Sequence, residues 1–134
     1  MSLSNDERNT LVTLELKKAH ETFEEIAILA DACKWSGAAN RLYYAVFHAI
    51  NALLIHDGHI TNTHKGSHAV FNLNYIKTGI LPIEFGCLYN QLQTMREESD
   101  YNCVYEVEAE ELKGRIEPAK RLIEAIEDRV KKSE

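Results

Sequence analysis

Arg41, Tyr44 and His48 stand in the run AANRLYYAVFH, residues 38–48. The arginine and the histidine are seven positions apart, close to two helical turns. In a helix the three side chains therefore share one stripe about 10 Å long. Their neighbours Leu42, Tyr43, Val46 and Phe47 are apolar. An arginine in such a setting needs an acidic partner or an opening to solvent, and Asp100 is the acidic candidate. A cation, a phenol and a titratable imidazole on one stripe are the groups that phosphate-ester chemistry uses.

Other residues add to this set. Arg96, Asp100 and Tyr101 form a second polar group, in which Arg96 and Asp100 are spaced to pair on one helix face. His64 and His68 lie at i, i+4 with His56 and His59 nearby. Imidazoles at that spacing can bind zinc, but no thiolate or carboxylate completes a familiar ligand set, so no metal is expected. His64 is expected to cap a helix or to line the Arg41 cleft. Of the six tyrosines, those that reach the surface are candidates for stacking on bases, and the rest belong in the core. The sequence has no GxxxxGK[ST], GxGxxG, GxSxG or HExxH, which gives no support for nucleotide hydrolysis by this chain alone and calls for no cofactor.

Charge is unevenly spread. The 134 residues carry a net charge of −6, yet residues 34–83 are positive by 3, with Lys34, Arg41, Lys65 and Lys77 against Asp57. Five of the six histidines lie in that segment. A basic middle in an acidic body favours a local anionic ligand over a broad nucleic-acid surface. Cys33, Cys87 and Cys103 are odd in number and lack CxxC spacing, which reads as reduced thiols in a cytoplasm. No run reaches the roughly 18 apolar residues of a membrane span. The start, MSLSNDERNT, is polar and acidic and does not read as a signal peptide.

Few glycines and prolines, six and two, predict long regular elements. Ser4 with Glu7 three residues on is a capping box. The helix it opens carries Val12, Leu16, Ala19, Phe23, Ile26, Ala30 and Cys33 at alternating four- and three-residue steps. It should end near Lys34 to Gly37, where the glycine supplies a turn. A second helix runs from about Ala38 to Ile55 and is apolar on most sides. Such a helix is central in a bundle or buried between subunits. Its apolar residues exceed what one bundle core should cover while its arginine needs a cleft, so a homodimer is expected. A polar loop follows over His59 to Gly66. A third helix covers Ser67 to Thr78 with Val70, Leu73 and Ile76 inward and Gly79 as its stop. Pro82 opens a fourth helix with Phe85, Leu88, Tyr89, Leu92 and Met95 on one face, ending near Asp100. A fifth helix reaches Val130 on a seam of Leu112, Ile116, Ala119, Ile123 and Ile126. Gly114 and Pro118 lie inside it, where a kink is expected. No strand alternation is present. The fold class is all-α, an antiparallel up-and-down bundle of about five helices, with residues 1–134 forming one domain.

At this point the chain resembles a known family. AANRLYYAVFHAINALL is similar to the signature helix of HEPN domains, in the branch with an S-R-x-Y-Y-A-x-F-H pattern. THKGSHAVFNLNYIKTGIL and MREESDY resemble that branch's T-H-x-G and R-x-x-x-D-Y segments, in the same order. The resemblance implies a metal-independent endoribonuclease acting as a homodimer, with an Arg-x(4–6)-His motif whose counterparts here are Arg41 and His48. It also implies pairing as a toxin with a minimal nucleotidyltransferase antitoxin. His48 would be the general acid or base and Arg41 would stabilise the phosphorane. Tyr44, His64, Arg96, Asp100 and Tyr101 would help bind RNA or a nucleotide. The chain departs from the pattern at Leu42, where active members often carry a polar residue. Two other readings are a non-catalytic partner or nucleotide-binding subunit of such a transferase, and a structural adaptor in which Arg41 and His48 only hold the bundle together.

Overall fold

The computed structural model describes residues 3–132. It contains α1 (Asn5–Asp31), α2 (Trp35–His56), α3 (His64–Phe71) running into a π turn (Asn72–Ile76), α4 (Ile83–Tyr101) and α5 (Ala109–Lys132). Among the described residues there is no strand. The chain is an all-α, up-and-down helical bundle.

Local chemistry sets most of the boundaries. The Ser4 hydroxyl accepts from the Glu7 backbone N–H, and the Glu7 carboxylate accepts from the Ser4 N–H in return. This reciprocal pair satisfies two amides that the first turn leaves free. The turn into α2 is made differently from the sequence expectation. Cys33, at φ 57°, takes the left-handed position, while Gly37 lies inside α2 against Leu29. Helix α2 thus starts three residues earlier than Ala38. Thr63 caps α3 through the Gly66 N–H. Gly79, at φ 78°, supplies the stop after the π turn. Helix α5 runs through Pro118.

The expected inward face of the third helix holds for Val70 and Ile76, which pack against the core, and fails for Leu73, which points outward at 59% exposure. Phe71 and Tyr75 are buried in its place. A π turn takes more residues per turn than an α-helix, which shifts the face over Asn72–Ile76.

Helix α2 is the axis of the molecule. It packs against α1, α3, α4 and α5. Leu42, Tyr43, Val46, Ile50, Leu53 and Leu54 are each at most 1% exposed. Burying each such side chain contributes about 1.5–3 kcal/mol. One chain therefore covers the faces of α2 that were expected to need a second copy. The apolar side chains left in solvent lie elsewhere, among them Leu14 and Ile28 on α1, Ile83 on α4, and Tyr101 and Val104 at and beyond its end.

A polar clamp ties the end of α2 to the π turn. The buried Tyr75 hydroxyl donates to Asp57 Oδ2, and His56 Nδ1 lies 2.8 Å from Asp57 Oδ1. Burial opposes the Asp57 charge, but the hydrogen bonds from Tyr75 and His56 and the charges of His56 and Arg129 outweigh it. The carboxyl is held below its ordinary range. A depressed carboxyl stabilises the fold above its unfolded value and loses that contribution as pH falls through the folded one. Asp57→Asn should cost about 1–3 kcal/mol at neutral pH. In urea titrations the gap between it and the parent protein should close as the solution is acidified below the carboxylate range.

Candidate functional site

Helix α1 lies along α2 and places one carboxylate beside each end of the Arg41–His48 stripe. The Arg41 Nε and Nη2 groups donate to Asn40 Oδ1 at 3.1 and 2.6 Å, and Nη1 is 3.9 Å from Glu25 Oε2. Asp100 is not its partner. Asp100 Oδ2 sits 3.6 Å from Arg96 Nη1, one turn away on the same helix. His48 Nδ1 is 2.8 Å from Glu15 Oε2. A carboxylate accepts, so the ring proton lies on Nδ1 and Nε2 is left without this partner. Arg41 and His48 keep 30% and 21% of their side-chain surface exposed. Neither is sealed in the core.

Glu15 and Glu25 were not legible as site residues. The available signal was that Glu15 falls three after Val12 and four before Ala19, an acid set in the apolar rhythm of α1. Leu42 is fully buried and faces the core. The polar group next to the arginine is Asn40, on its other side.

From the opposite flank α4 delivers Arg96, which is only 8% exposed. Its guanidinium carbon lies 4.9 Å from the Tyr43 ring centre and 5.8 Å from that of Tyr44. Arg41 addresses the same Tyr44 ring at 5.6 Å. Two cations thus share one phenol. Of Arg96, Asp100 and Tyr101, Arg96 is the one placed against that ring. Asp100 keeps 35% of its side chain exposed, and Tyr101 is 80% exposed while helping to hold the Arg96 charge. The Arg96 Nε proton is buried with no partner.

His64 completes the cluster. Its Nδ1 is 2.9 Å from the Tyr43 hydroxyl, and its ring stacks on Phe47 at 4.3 Å. Burial raises the Tyr43 pKa, so that hydroxyl stays protonated and shares one proton with His64 Nδ1. Burial first, then the positive charges of Arg96 and His48, push the His64 pKa below its ordinary value despite the opposing pull of Glu97. At neutral pH His64 is an uncharged imidazole.

The remaining histidines are held apart from one another. His56 pairs with Asp57, His68 bonds Gln93 and stacks on Tyr89, and His59 meets Tyr75 edge to face. Among the described residues no group of three or more His, Cys, Asp or Glu is placed to hold a metal ion. Tyr43, Tyr75 and Tyr89 belong to the core, which leaves Tyr44 and Tyr101 as the site's accessible phenols. Two guanidiniums, a neutral imidazole and an oriented second imidazole suit one kind of ligand, an anion of phosphate type. Nitrogen-detected NMR should find neutral His48 protonated on Nδ1, and Glu15→Ala should release that preference. His64 should titrate below the ordinary histidine range, and Arg96→Met should move it upward.

The comparisons bear on the fold and family. The family model described as HEPN domain matches residues 13–129. A protein named UPF0332 protein from Thermotoga maritima is 32% identical over 122 residues, covering 91% of this chain and 92% of that one. Two Methanocaldococcus jannaschii proteins are each 28% identical. They are named "Putative toxin MJ0142", matched over 72% of this chain and 65% of its own length, and "Putative toxin MJ0605", matched over 98% and 93%. No helix among the described residues is long and apolar enough to cross a membrane. With a family match over most of its length, and a helical bundle that sets Arg41 and His48 half-exposed on its axial helix, this chain belongs to the HEPN family.

Proposed function

We propose that this protein is a metal-independent endoribonuclease, the toxin half of a toxin–antitoxin pair whose antitoxin is a minimal nucleotidyltransferase. The observation that carries this reading is the pair of opposed devices on α2. At one end two guanidiniums, Arg41 and Arg96, bracket Tyr44. At the other, Glu15 turns His48 so that Nε2 faces away from the carboxylate.

RNA supplies its own nucleophile. His48 Nε2 takes the proton of the 2′-hydroxyl, and the 2′-oxygen attacks the adjacent phosphorus. The bond to the 5′-oxygen breaks and that oxygen receives a proton. Arg41 and Arg96 offset the charge that builds on the phosphorane oxygens. Arg41 and His48 are about two turns apart on one helix, so one chain offers a divided set. A homodimer supplies a second His48 as the acid. The exposed Tyr101 beside Arg96, with the exposed Val104 past the end of α4, gives apolar surface for that contact. The exposed free thiols Cys33, Cys87 and Cys103 suit the reducing cytoplasm. The names of the two archaeal relatives support the toxin role.

A second reading is favoured by Leu42, which offers no polar group beside the arginine. In it the same site binds a phosphate ligand without cutting, and the chain is a non-catalytic partner of the transferase. Single-stranded RNA incubated with the protein in EDTA separates the two. Cleavage leaving 2′,3′-cyclic phosphate ends supports the ribonuclease. His48→Ala and Arg41→Ala should each then lower the rate by roughly a hundredfold or more. Sedimentation at micromolar concentration should show two chains. RNA that binds and stays intact assigns the chain to the second reading.

A further inference from the structure

A cleft of about 410 Å³ opens between the start of α1, the end of α2 and the loop after it. Its walls include Leu11, Leu54, Ile55 and Ile60, and its polar groups include Arg8 and Asn51. That volume is in the range of small-molecule sites, and an apolar lining with a few converging polar groups is their usual composition.

Three features say what fits. First, Arg8 has no carboxylate within ion-pair distance among the described residues, so its charge is available to an anion. Second, Asn51 Oδ1 accepts from the buried Ser67 hydroxyl at 3.3 Å. This turns the amide so that its two N–H groups are the part left for a ligand, and a ligand must offer an acceptor there. Third, the cleft adjoins the His48–Glu15 pair. Leu11 precedes Glu15 by four residues on α1, and Asn51 follows His48 by three on α2. It therefore begins about 5 Å, one helical turn, from the pair.

We propose that this cleft binds one nucleotide unit of the RNA strand next to the cut. The base lies against Leu11, Leu54 and Ile60 and offers an acceptor atom to Asn51, and its phosphate meets Arg8. The assignment of RNA rests on the ribonuclease reading. The site itself is a place for a flat apolar body with an anionic group, and Arg8 and Asn51 set its choice of ligand. A fatty carboxylate shares the apolar body and the anion, but it has no ring acceptor for Asn51.

The test uses a 2′-O-methyl RNA tetranucleotide, which cannot be cut, so binding is read whether or not the protein is active. In methyl and side-chain amide NMR spectra, saturable shifts at Leu11, Leu54, Ile60 and Asn51 are expected. Arg8→Ala should weaken binding about tenfold or more through one lost charge-assisted contact, and lower the salt dependence by about one ion. Arg8 lies near the surface at the first turns of α1, so this variant keeps the core intact. Asn51→Ala should weaken binding without changing the salt dependence. Shifts confined to Arg41, Tyr44 and His64, or unchanged affinity in Arg8→Ala, would overturn the proposal. So would decanoate shifting the cleft resonances while the tetranucleotide leaves them unmoved. Shifts in the cleft with uncut natural RNA would retain the site and remove the ribonuclease reading. Efficient cleavage by Arg8→Ala with unchanged KM would do the reverse.

Discussion

A guanidinium nine-tenths buried against two phenol rings organises this molecule. Arg96 enters from α4 and lies over Tyr43 and Tyr44 of α2. A buried cation is costly to leave alone. Here the ring faces and the nearby Asp100 and Glu97 carboxylates offset that cost. The consequences spread outward from this contact. Tyr43, held beneath the cation, bonds His64, and burial together with the positive field keeps His64 neutral. Tyr44 lies within cation–π reach of Arg41 as well.

The opposite face follows a different rule. Helix α1 contributes apolar residues to the core and two acids to its edge, Glu15 and Glu25. Each acid restrains one member of the stripe. Glu15 sets which nitrogen of His48 is committed, and Glu25 with Asn40 holds Arg41. Neither ion pair contributes much to stability when half-exposed. Their effect is on orientation, since a histidine whose tautomer is fixed presents one defined nitrogen to a ligand. A site built on rigid helices and aimed by such contacts needs little rearrangement to accept a phosphate.

The same economy explains the central helix. Its surplus of apolar residues reads from the sequence as a call for a second subunit. In the fold four neighbouring elements cover it. Surface apolar residues are scattered instead, on α1, in the loops around the π turn, at the start of α4 and at Tyr101 and Val104 past its end. An interface at Tyr101 and Val104 would close over Arg96 and Arg41, where a second set of charged groups has chemical use, and would leave the core untouched.

The sequence by itself determined the helical class, the capping box at Ser4, the seam of α5 and the stripe that carries Arg41, Tyr44 and His48. These are local or periodic properties, fixed by side-chain spacing within one segment. It also pointed to Arg96 as a neighbour of the stripe through the resemblance of MREESDY to a family pattern. Only the tertiary structure decided the partners. That Arg41 meets Glu25 and not Asp100, that His48 meets Glu15, and that His64 meets Tyr43 all depend on how separate helices pack, which no spacing within one helix encodes. The π turn after Phe71 and the left-handed Cys33 are likewise tertiary outcomes. The π turn packs against α4, and Cys33 makes the reversal between α1 and α2, each against the regular pattern that the local residues suggest.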